Sequence, residues 1–460
     1  MSAVTTTLAF LVTLGVLIVV HEWGHYKVAR LCGVKVLRFS VGFGRTLWRR
    51  QASPDDTEFV VAVVPLGGYV RMLDEHEDAV APAELHQAFN RKPLWQRAAI
   101  VAAGPAANLI LALGLYAAQN WIGVEEPKAV LSAPAAGGLA ERAGLRSGDW
   151  VQAWAREDGG DWQDIRSLTD LRWQIMQAAL DGERLRLTVS DASGQGRRQV
   201  TLALDRADAS SIDSGFLART VGLTSPYSPP LLGDPVPGGP ADRAGLRKGD
   251  RVLAVDGTAI GDAHQLRERI RQLTRDGQAV PMTWTVERNG AAIEIAVQPR
   301  VISEGDKRWG RIDAVVGQLP QMVTVRLGPF EGLARSASLT WEQSLLTVKM
   351  FGRMLVGEAS LKNLSGPITI ADYAGQSAER GLAYYLGFLA LVSVGLGVLN
   401  LMPIPLLDGG HLMYYLFEGL TGRPISDLWL KWLQRGGALV LALMMTLALS
   451  NDVARLLGLH

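Results

Sequence analysis

The sequence His21-Glu22-Trp23-Gly24-His25 decides how the rest of the chain is interpreted. It follows Met1 to Val20, a run without a charged side chain that is long enough to span a membrane as a helix. In a helix His21 and His25 share one face, so both imidazoles can bind one metal ion. Glu22 lies beside the first imidazole, where a carboxylate can take a proton from water and return it to a leaving amine. The alternative is a structural histidine pair, hydrogen-bonded to backbone or to carboxylates.

Composition indicates a mixed membrane and soluble protein. The chain has 460 residues, of which 48% are hydrophobic, too long for one ordinary domain and too apolar for a wholly soluble protein. The net charge is +1 and basic residues form no long tract, so nucleic acid is not an expected partner. Cys32 is the single cysteine, which excludes an internal disulfide and a cysteine-based zinc cluster.

Charge sets the orientation of the first span, residues 1–31. Nothing basic precedes the motif, whereas the loop after it is rich in Lys and Arg: Lys27, Arg30, Lys35, Arg38, Arg45, Arg49 and Arg50. By the positive-inside rule the loop is cytoplasmic. The motif is therefore expected toward the cytoplasmic side of the membrane.

Residues 32–97 are predicted to contain a β-hairpin. The apolar run Phe59 to Val70 is interrupted by Pro65-Leu66-Gly67-Gly68, which predicts two short strands joined by a turn at these four residues. One interpretation is a strand packed on a small cytoplasmic subdomain. The other is a hairpin that dips into the membrane beside the metal, where a free edge pairs with an extended substrate.

The second span is predicted at 98–122. It contains Gly104-Pro105-Ala106-Ala107-Asn108, in which small residues allow close helix contact and one amide lies within the bilayer. Asn108 is expected either to bond a neighbouring helix or to act directly in the site.

An internal repeat marks the soluble part of the chain. Ala140 to Asp149, AERAGLRSGD, returns at Ala241 to Asp250 as ADRAGLRKGD, which indicates two tandem copies of one domain. The pattern resembles PDZ domains, so we expect one at 124–220 and a second at 221–305, outside the cytoplasm. PDZ domains bind extended peptides at a strand edge, which would make this pair a substrate filter or docking site. The alternative is a pair of spacer domains with closed grooves.

Residues 306–380 are predicted to be a linker with an amphipathic helix. Apolar residues recur at helical spacing from Phe330 to Val356. The helix could lie along the outer membrane surface or brace the PDZ pair.

The third span, 381–411, contains a break. Pro403 and Pro405 cannot continue a regular helix, because each lacks an N–H and clashes with the preceding turn. Irregular backbone at membrane depth is tolerated only where protein or a water-filled cavity covers it, so the break indicates a site. Asp408 just beyond it is the expected third metal ligand, which gives the open three-ligand set of a catalytic zinc. His411 is a rival ligand, with a supporting role as its alternative.

Two further features complete the predicted membrane part. Asn400 either offers its amide to a substrate backbone or ties down the broken helix. The fourth span is expected at 428–453, where only Gly436 to Asn451 is uncharged, so the helix must start upstream or tilt.

Together these features predict a polytopic α-helical membrane protein with four transmembrane helices, a membrane-associated β-hairpin and two tandem periplasmic PDZ domains of α+β type. The histidine motif, the Gly104 to Asn108 segment and the stretch Asn400 to Gly409 resemble the site-2 protease family of intramembrane zinc metalloproteases. The likeness covers nearly the whole chain.

The resemblance implies roles for particular residues. His21, His25 and Asp408 would bind Zn²⁺, and Glu22 would be the general base and acid. Asn400 and the hairpin residues Gly67, Gly68 and Tyr69 would contact substrate.

The resemblance also implies the partners and the location. Substrates would be single-span membrane proteins, namely an anti-sigma factor of the envelope stress response and signal-peptide remnants. Membrane lipid surrounds the spans, peptides would bind at the PDZ grooves, and the location would be the bacterial inner membrane.

Two other classes compete with this interpretation. A non-catalytic membrane PDZ scaffold would make Glu22 dispensable. A metal transporter would have ionisable residues along several spans, and these spans are nearly free of charge apart from one cluster.

Overall fold

The computed structural model describes residues 3–456 except 54, 77–78, 158, 206–214, 273, 276–277, 305–306, 357–365 and 424. The chain forms two compact units. The first unit comprises Met1–Val124 and Arg326–His460, and the second comprises Glu125–Val325. Each unit is described separately below.

Long helices build the first unit, and short helices accompany the sheets of the second. Within the described residues the α-helices are α1 (Ala3–Leu31), α2 (Leu94–Ile122), α3 (Leu139–Arg142), α4 (Leu168–Asp181), α5 (Pro240–Arg243), α6 (Ala263–Gln272), α7 (Pro329–Leu355), α8 (Pro367–Glu379), α9 (Leu382–Leu401), α10 (Asp408–Thr421) and α11 (Asp427–Leu456). Short 3₁₀ turns at Pro82–Gln87 and Phe89–Arg91 precede α2.

The strands fall into one long pair in the first unit and several sheets in the second. Within the described residues they are β1 (Val36–Arg50), β2 (Glu58–Met72), β3 (Val124–Pro127), β4 (Trp150–Arg156), β5 (Gln163–Asp164), β6 (Arg184–Ser190), β7 (Arg198–Ala203), β8 (Leu232–Pro235), β9 (Arg251–Val255), β10 (Thr258–Ala259), β11 (Thr274–Arg275), β12 (Gln278–Ala279), β13 (Met282–Arg288), β14 (Ala291–Val297), β15 (Arg300–Glu304), β16 (Lys307–Arg311), β17 (Ala314–Val316) and β18 (Met322–Val325).

Four helices among the described residues are long and apolar enough to cross a membrane. Their candidate spans are Val4–Leu31, Leu94–Ile122, Leu382–Leu401 and Leu428–Arg455. The second begins four residues before the predicted start at Ala98. The last extends well beyond both ends of the uncharged segment, which supplies the length that this segment lacks.

Glycines allow α1 and α2 to pack closely. A methyl group at Gly24 would lie 2.3 Å from the carbonyl oxygen of Ala103, and one at Gly104 would lie 2.2 Å from Nε2 of His25. Small residues at such crossings let helix backbones approach where a larger side chain would hold them apart. The crossing therefore brings the backbone of α2 against the histidine face of α1.

The helix α9 packs on the other side of α2. Ala112 and Tyr116 of α2 form one buried cluster with Ala390, Val394 and Val398 of α9. The helix then ends at Leu401, and α10 begins at Asp408. We call residues 402–407 the proline break; the chain is non-helical there, as Pro403 and Pro405 require.

The amphipathic helix α7 belongs to the helical unit. Leu339 and Phe351 pack against the α2–α9 cluster, and the amide Nδ2 of Asn120 donates to Ser336 Oγ at 3.0 Å. The sequence left open a position on the outer membrane surface or against the PDZ pair. In the structure the apolar stripe of α7 packs on α2 and α9, and the two interpretations remain predictions.

The predicted hairpin within Phe59 to Val70 is wrong in its pairing. The residues Pro65 to Gly68 lie inside β2, and the two halves of β2 pair with β1 instead of with each other. Arg38, for example, pairs with both Glu58 and Arg71. The first half of β1 therefore lies between the halves of β2, a long-range arrangement that short-range turn signals do not reveal.

The base of this β1–β2 sheet packs on the helices. Val34 and Val36 form a buried cluster with Ala29 of α1 and Ile100 of α2, and Val70 and Met72 lie against it. This packing fixes the second half of β2 beside α1.

The second unit contains two copies of one arrangement. The sheet orders β5-β4-β6-β7 and β10-β9-β13-β14 correspond strand by strand, and α4 and α6 occupy equivalent places in the chain. Each copy has its own buried core, around Leu171 and Leu187 in the first and around Trp284 and Leu266 in the second. The repeat seen in the sequence is therefore also a repeat in structure.

The repeated aspartates have equivalent partners but opposite pKa shifts. Arg198 donates to Asp149 at 2.6 Å, and Arg288 donates to both oxygens of Asp250 at 2.7 Å. Burial raises the pKa of Asp149 above its usual range despite its hydrogen bonds. Burial also acts on Asp250, but the paired bonds from Arg288 and the Arg247 N–H lower its pKa.

The second copy extends beyond the predicted limit at residue 305. Ala314 of β17 pairs with Pro235 of β8, at the start of the same copy, and β16 pairs with β15. Residues 306–380 are therefore not only a linker and a helix, because their first part completes the second copy. Val236 N–H, which donates to Asp313 O at 2.9 Å, adds a further bond at this closure.

A carboxylate ties α11 to α8. Asp452 accepts backbone N–H bonds from Gly366, Ile368 and Thr369 at 3.1, 2.9 and 3.1 Å. These are unpaired donors at the start of α8, where a negative charge is favourable. The fourth apolar helix is thus fixed at one end.

We predict that Gly24→Ala destabilises the helical unit, because the new methyl group meets backbone of Ala103. Overpacking of this kind costs about 1–3 kcal/mol. Gly15→Ala is the matched control in the same helix, since nothing lies within 4 Å of a methyl group there. Thermal unfolding in detergent micelles is the measurement, and equal midpoints for the two variants would contradict the close approach.

Candidate metal centre

Three side chains from α1 and α10 converge. Nε2 of His21 lies 3.2 Å from Nε2 of His25 and 3.2 Å from Oδ2 of Asp408. Nε2 of His25 lies 3.6 Å from Oδ1 of Asp408. Within the described residues these form a His/Cys/Asp/Glu group whose ligand atoms all lie within 4.8 Å of one another.

The local chain explains why these residues meet. His21 and His25 are four residues apart on α1, so they occupy successive turns of one face. Asp408 is the first residue of α10, directly after the proline break. A methyl group at Gly409 would lie 2.1 Å from the carbonyl oxygen of Met402, so only glycine allows α10 to start so close to the break.

The donor set fits zinc. Two imidazoles and one carboxylate are ligands of open, catalytic zinc sites, which keep a further position for water or substrate. Ligand atoms about 2.0–2.1 Å from a tetrahedral zinc lie about 3.3 Å from one another. The separations of 3.2, 3.2 and 3.6 Å lie near this spacing, with the two contacts of Asp408 made through different carboxylate oxygens.

The cluster is largely shielded from solvent. The side chains of His21 and His25 are each 11% exposed, and that of Asp408 is 20% exposed. Burial makes an unpaired charge costly, which favours neutral imidazoles held against a carboxylate or a cation. Asp408 is therefore the most solvent-exposed member of the cluster.

Both imidazoles have a partner on α2 through their second nitrogen. Nδ1 of His25 lies 2.8 Å from the backbone oxygen of Ile100, a bond in which the ring nitrogen must donate. Nδ1 of His21 lies 3.2 Å from Nδ2 of Asn108. Asn108 is fully buried. The sequence allowed its amide either a bond to a neighbouring helix or a role in the site, and in the structure it contacts His21.

Glu22 lies between the cluster and β2. A methyl group at Gly68 would lie 2.9 Å from Cγ of Glu22 and 2.8 Å from the carbonyl oxygen of Ser40. The neighbouring residues are held by ring contacts, since Tyr69 stacks on Phe43 at 6.2 Å and Gly67 abuts the same Phe43 ring. Of the three β2 residues predicted to contact substrate, Gly68 therefore lies against the predicted general base, and Gly67 and Tyr69 contact Phe43.

Other candidate residues lie elsewhere. His411 is outside the three-residue group and contacts the ring of Tyr414 at 5.7 Å, which favours its supporting role. Asn400 lies in the last turn of α9 and is half-buried. Cys32 packs at the edge of the cluster around Ala29.

Sequence reasoning did not find two supporting contacts. These are the Ile100 carbonyl under His25 and the bond from Ser393 Oγ to the backbone oxygen of Asn108 at 2.7 Å. The first involves a backbone carbonyl, which no residue type in the sequence indicates. The second could have been predicted, since Ser393 is a polar residue inside an apolar span.

A histidine pair, a carboxylate and an adjacent glutamate, set among helices able to cross a membrane, define a membrane-bound metallopeptidase. Residues 9–444 match the sequence profile of Peptidase family M50. The chain belongs to this family, which is that of the site-2 proteases.

Relatives agree over nearly the full length. A putative zinc metalloprotease of Ralstonia nicotianae is 41% identical over 472 residues, covering 99% of both chains. The regulator of sigma-E protease RseP of Escherichia coli is 40% identical over 454 residues, covering 97% of this chain and 98% of that protein. Protease RseP of Yersinia pestis is 39% identical over 469 residues, covering 99% and 100%. The protein is therefore a zinc metalloprotease, which confirms the predicted enzyme class and cofactor.

We predict that Asp408→Ala lowers bound zinc well below one equivalent, because one of three converging ligands is lost. His411→Ala is the control, and it should retain the metal because His411 lies outside the group. Elemental analysis of the purified variants measures both. Full zinc in Asp408→Ala, or loss of zinc in His411→Ala alone, would reassign the ligand set.

Proposed function

We propose that the protein is an intramembrane zinc metalloprotease that hydrolyses peptide bonds within transmembrane segments of single-span substrates. The observation that carries this proposal is the convergence of His21 and His25, within the first apolar helix, with Asp408, which follows the third apolar helix after the proline break. A site built from such helices acts on a bond at or below the membrane surface. In this proposal the three side chains hold the zinc.

The chain's own groups supply the proton transfers. When bound, zinc supplies a Lewis acid that polarises the scissile carbonyl and acidifies water. The carboxylate of Glu22 takes the proton from the attacking water and returns it to the leaving amine nitrogen. The partly exposed side of Asp408 admits water to an otherwise shielded site.

The β1–β2 sheet holds the substrate in this proposal. A peptide bond in a membrane helix has paired amides, so cleavage needs an extended segment whose backbone bonds are replaced. Residues 68–72 of β2 pair with β1, and Gly68 lies against Glu22, so a substrate strand added at this edge would reach the general base. Asn400, near the end of α9, is proposed to contact the same segment.

The sheet is proposed to enter the membrane. Apolar side chains are exposed on it, including Leu47, Trp48, Val61 and Val63. An exposed apolar surface of this size favours contact with lipid or with an apolar substrate.

An apolar cavity offers space for the rest of the substrate span. It has a volume of about 1340 Å³ and lies between α7, the proline break and α11, with Trp341, Phe351, Met402, Pro405 and Trp432 among its lining residues. Its lining shares residues with the break that leads to Asp408, and apolar cavities of this kind take apolar ligands.

We propose that the two repeated domains are periplasmic PDZ domains that filter substrates or bind their peptides. Support comes from the repeated helix and strand order and from the basic residues that follow α1. The proposed location is the bacterial inner membrane, with the metal site toward the cytoplasm.

The proposed substrates follow from relatives whose names refer to regulation of sigma-E. They are an anti-sigma factor, already trimmed outside the membrane, and remnants of signal peptides. Both kinds of substrate have only a short segment outside the membrane, which the proposed PDZ filter would let pass.

Glu22→Gln should abolish cleavage of a tagged single-span anti-sigma segment while zinc content and folding are retained, because the amide cannot accept the proton. A gel assay of the purified protein, with and without a zinc chelator, measures this. Full activity in the variant would assign the proton transfer to a different base, and a lack of cleavage by the unchanged protein would support a non-catalytic scaffold.

Gly68→Ala should reduce kcat/KM by at least about tenfold without loss of zinc, because the methyl group displaces β2 from Glu22. Gly114→Ala in α2 is the control, since nothing lies within 4 Å of that position. The same cleavage assay measures both variants. Equal rates would show that β2 does not take part in substrate binding.

A further inference from the structure

If Nε2 of His21 binds the metal, its Nδ1–H needs a hydrogen-bond acceptor nearby. A neutral imidazole that binds a metal through Nε2 carries its proton on Nδ1, and that N–H needs an acceptor. His25 meets the requirement, because its Nδ1 faces the backbone oxygen of Ile100 at 2.8 Å. For His21, within the described part of the chain, Nδ1 contacts the side chain of Asn108.

The amide of Asn108 presents its donor end to His21. Nδ2 lies 3.2 Å from Nδ1 of His21, and an amide nitrogen can only donate. In that arrangement Nδ1 accepts, so the ring proton is on Nε2, which points at Asp408. A protonated Nε2 cannot bind a metal.

The oxygen of the same amide makes no hydrogen bond in this orientation, within the described part of the chain. Oδ1 of Asn108 is buried and has no hydrogen-bond partner within the described part of the chain. A half-turn about Cβ–Cγ exchanges the oxygen and the nitrogen without moving the rest of the side chain. The exchanged orientation would place an acceptor against Nδ1 of His21, which is what a ring bound to a metal through Nε2 requires.

We propose that Asn108 is a positioning residue for the metal centre: its Oδ1 accepts the Nδ1–H bond of His21 and so fixes the ring with Nε2 free to bind zinc. This inference rests on the proposed role of His21 as a ligand. It adds a residue that touches neither the metal nor the substrate.

The spacing on α2 supports the assignment. Ile100, Gly104 and Asn108 are each four residues apart and lie on one face. Ile100 contacts His25 through its carbonyl, Gly104 leaves room for that ring, and Asn108 reaches the ring one turn away. One face of α2 therefore serves both histidines.

The backbone of Asn108 is also held in place. Ser393 Oγ of α9 donates to the carbonyl oxygen of Asn108 at 2.7 Å, and Ser393 is itself fully buried. This bond leaves the side-chain amide untouched. It provides a control that perturbs the same residue without changing the proposed contact.

The test is zinc affinity, measured by competition with a chromophoric chelator on the full-length protein in detergent. Asn108→Leu removes the acceptor at similar volume and should weaken zinc binding by about 10- to 100-fold. Asn108→Asp keeps an acceptor and removes the donor, so it should hold zinc at least as well as the unchanged protein. Ser393→Ala should leave the affinity unchanged.

Either of two results would overturn the proposal: unchanged affinity in Asn108→Leu, or equal weakening in Asn108→Asp and Asn108→Leu. Asn108→Ala is measured in parallel, so a leucine variant that fails to fold still leaves a comparison with Asp. Unfolding curves in excess chelator separate a loss of fold from a loss of metal.

A further arm keeps this inference apart from the proposed function. His21→Ala should lose most of its zinc affinity. If it binds zinc as tightly as the unchanged protein, the ligand assignment fails and the role of Asn108 fails with it. If His21→Ala loses zinc but Asn108→Leu does not, only the role of Asn108 is overturned.

Discussion

The close approach of α1 and α2 is the constraint on which the metal centre depends. Helices in a membrane gain little from apolar contact alone, so they need small residues to bring backbones together. Gly24 and Gly104 meet this need on the two sides of the crossing. With larger residues there, His25 would lose its place against α2, and the carbonyl of Ile100 would lie out of reach of its ring.

The proline break supplies the other half of the site. If α9 continued without a break, its backbone carbonyls would all be paired within the helix. Asp408 would then not lie beside the two histidines. The helix ends at Leu401 instead, and Asp408 begins a new helix with its side chain turned toward α1. The break is covered on one side, where Met402 is buried against the α2–α9 cluster, and on another side it lines the apolar cavity.

Local patterns allowed much of this to be predicted. Helical spacing gave the histidine pair, and the two prolines located the break before Asp408, so the convergence of three side chains was expected from sequence. The pairing of β1 with both halves of β2 was not, because strand partners far apart in sequence leave no local signal. The packing of α7 on α2 and α9 was not predicted either, since an apolar stripe does not show which surface it covers.

The two histidines differ in how their second nitrogens are held. A main-chain oxygen serves His25, and no exchange of side chain at Ile100 can delete it. His21 relies on a single side chain at position 108. In the proposed metal site, the affinity for zinc can therefore be altered through position 108 without a change of ligand, whereas the contact of His25 is the same for every side chain at position 100.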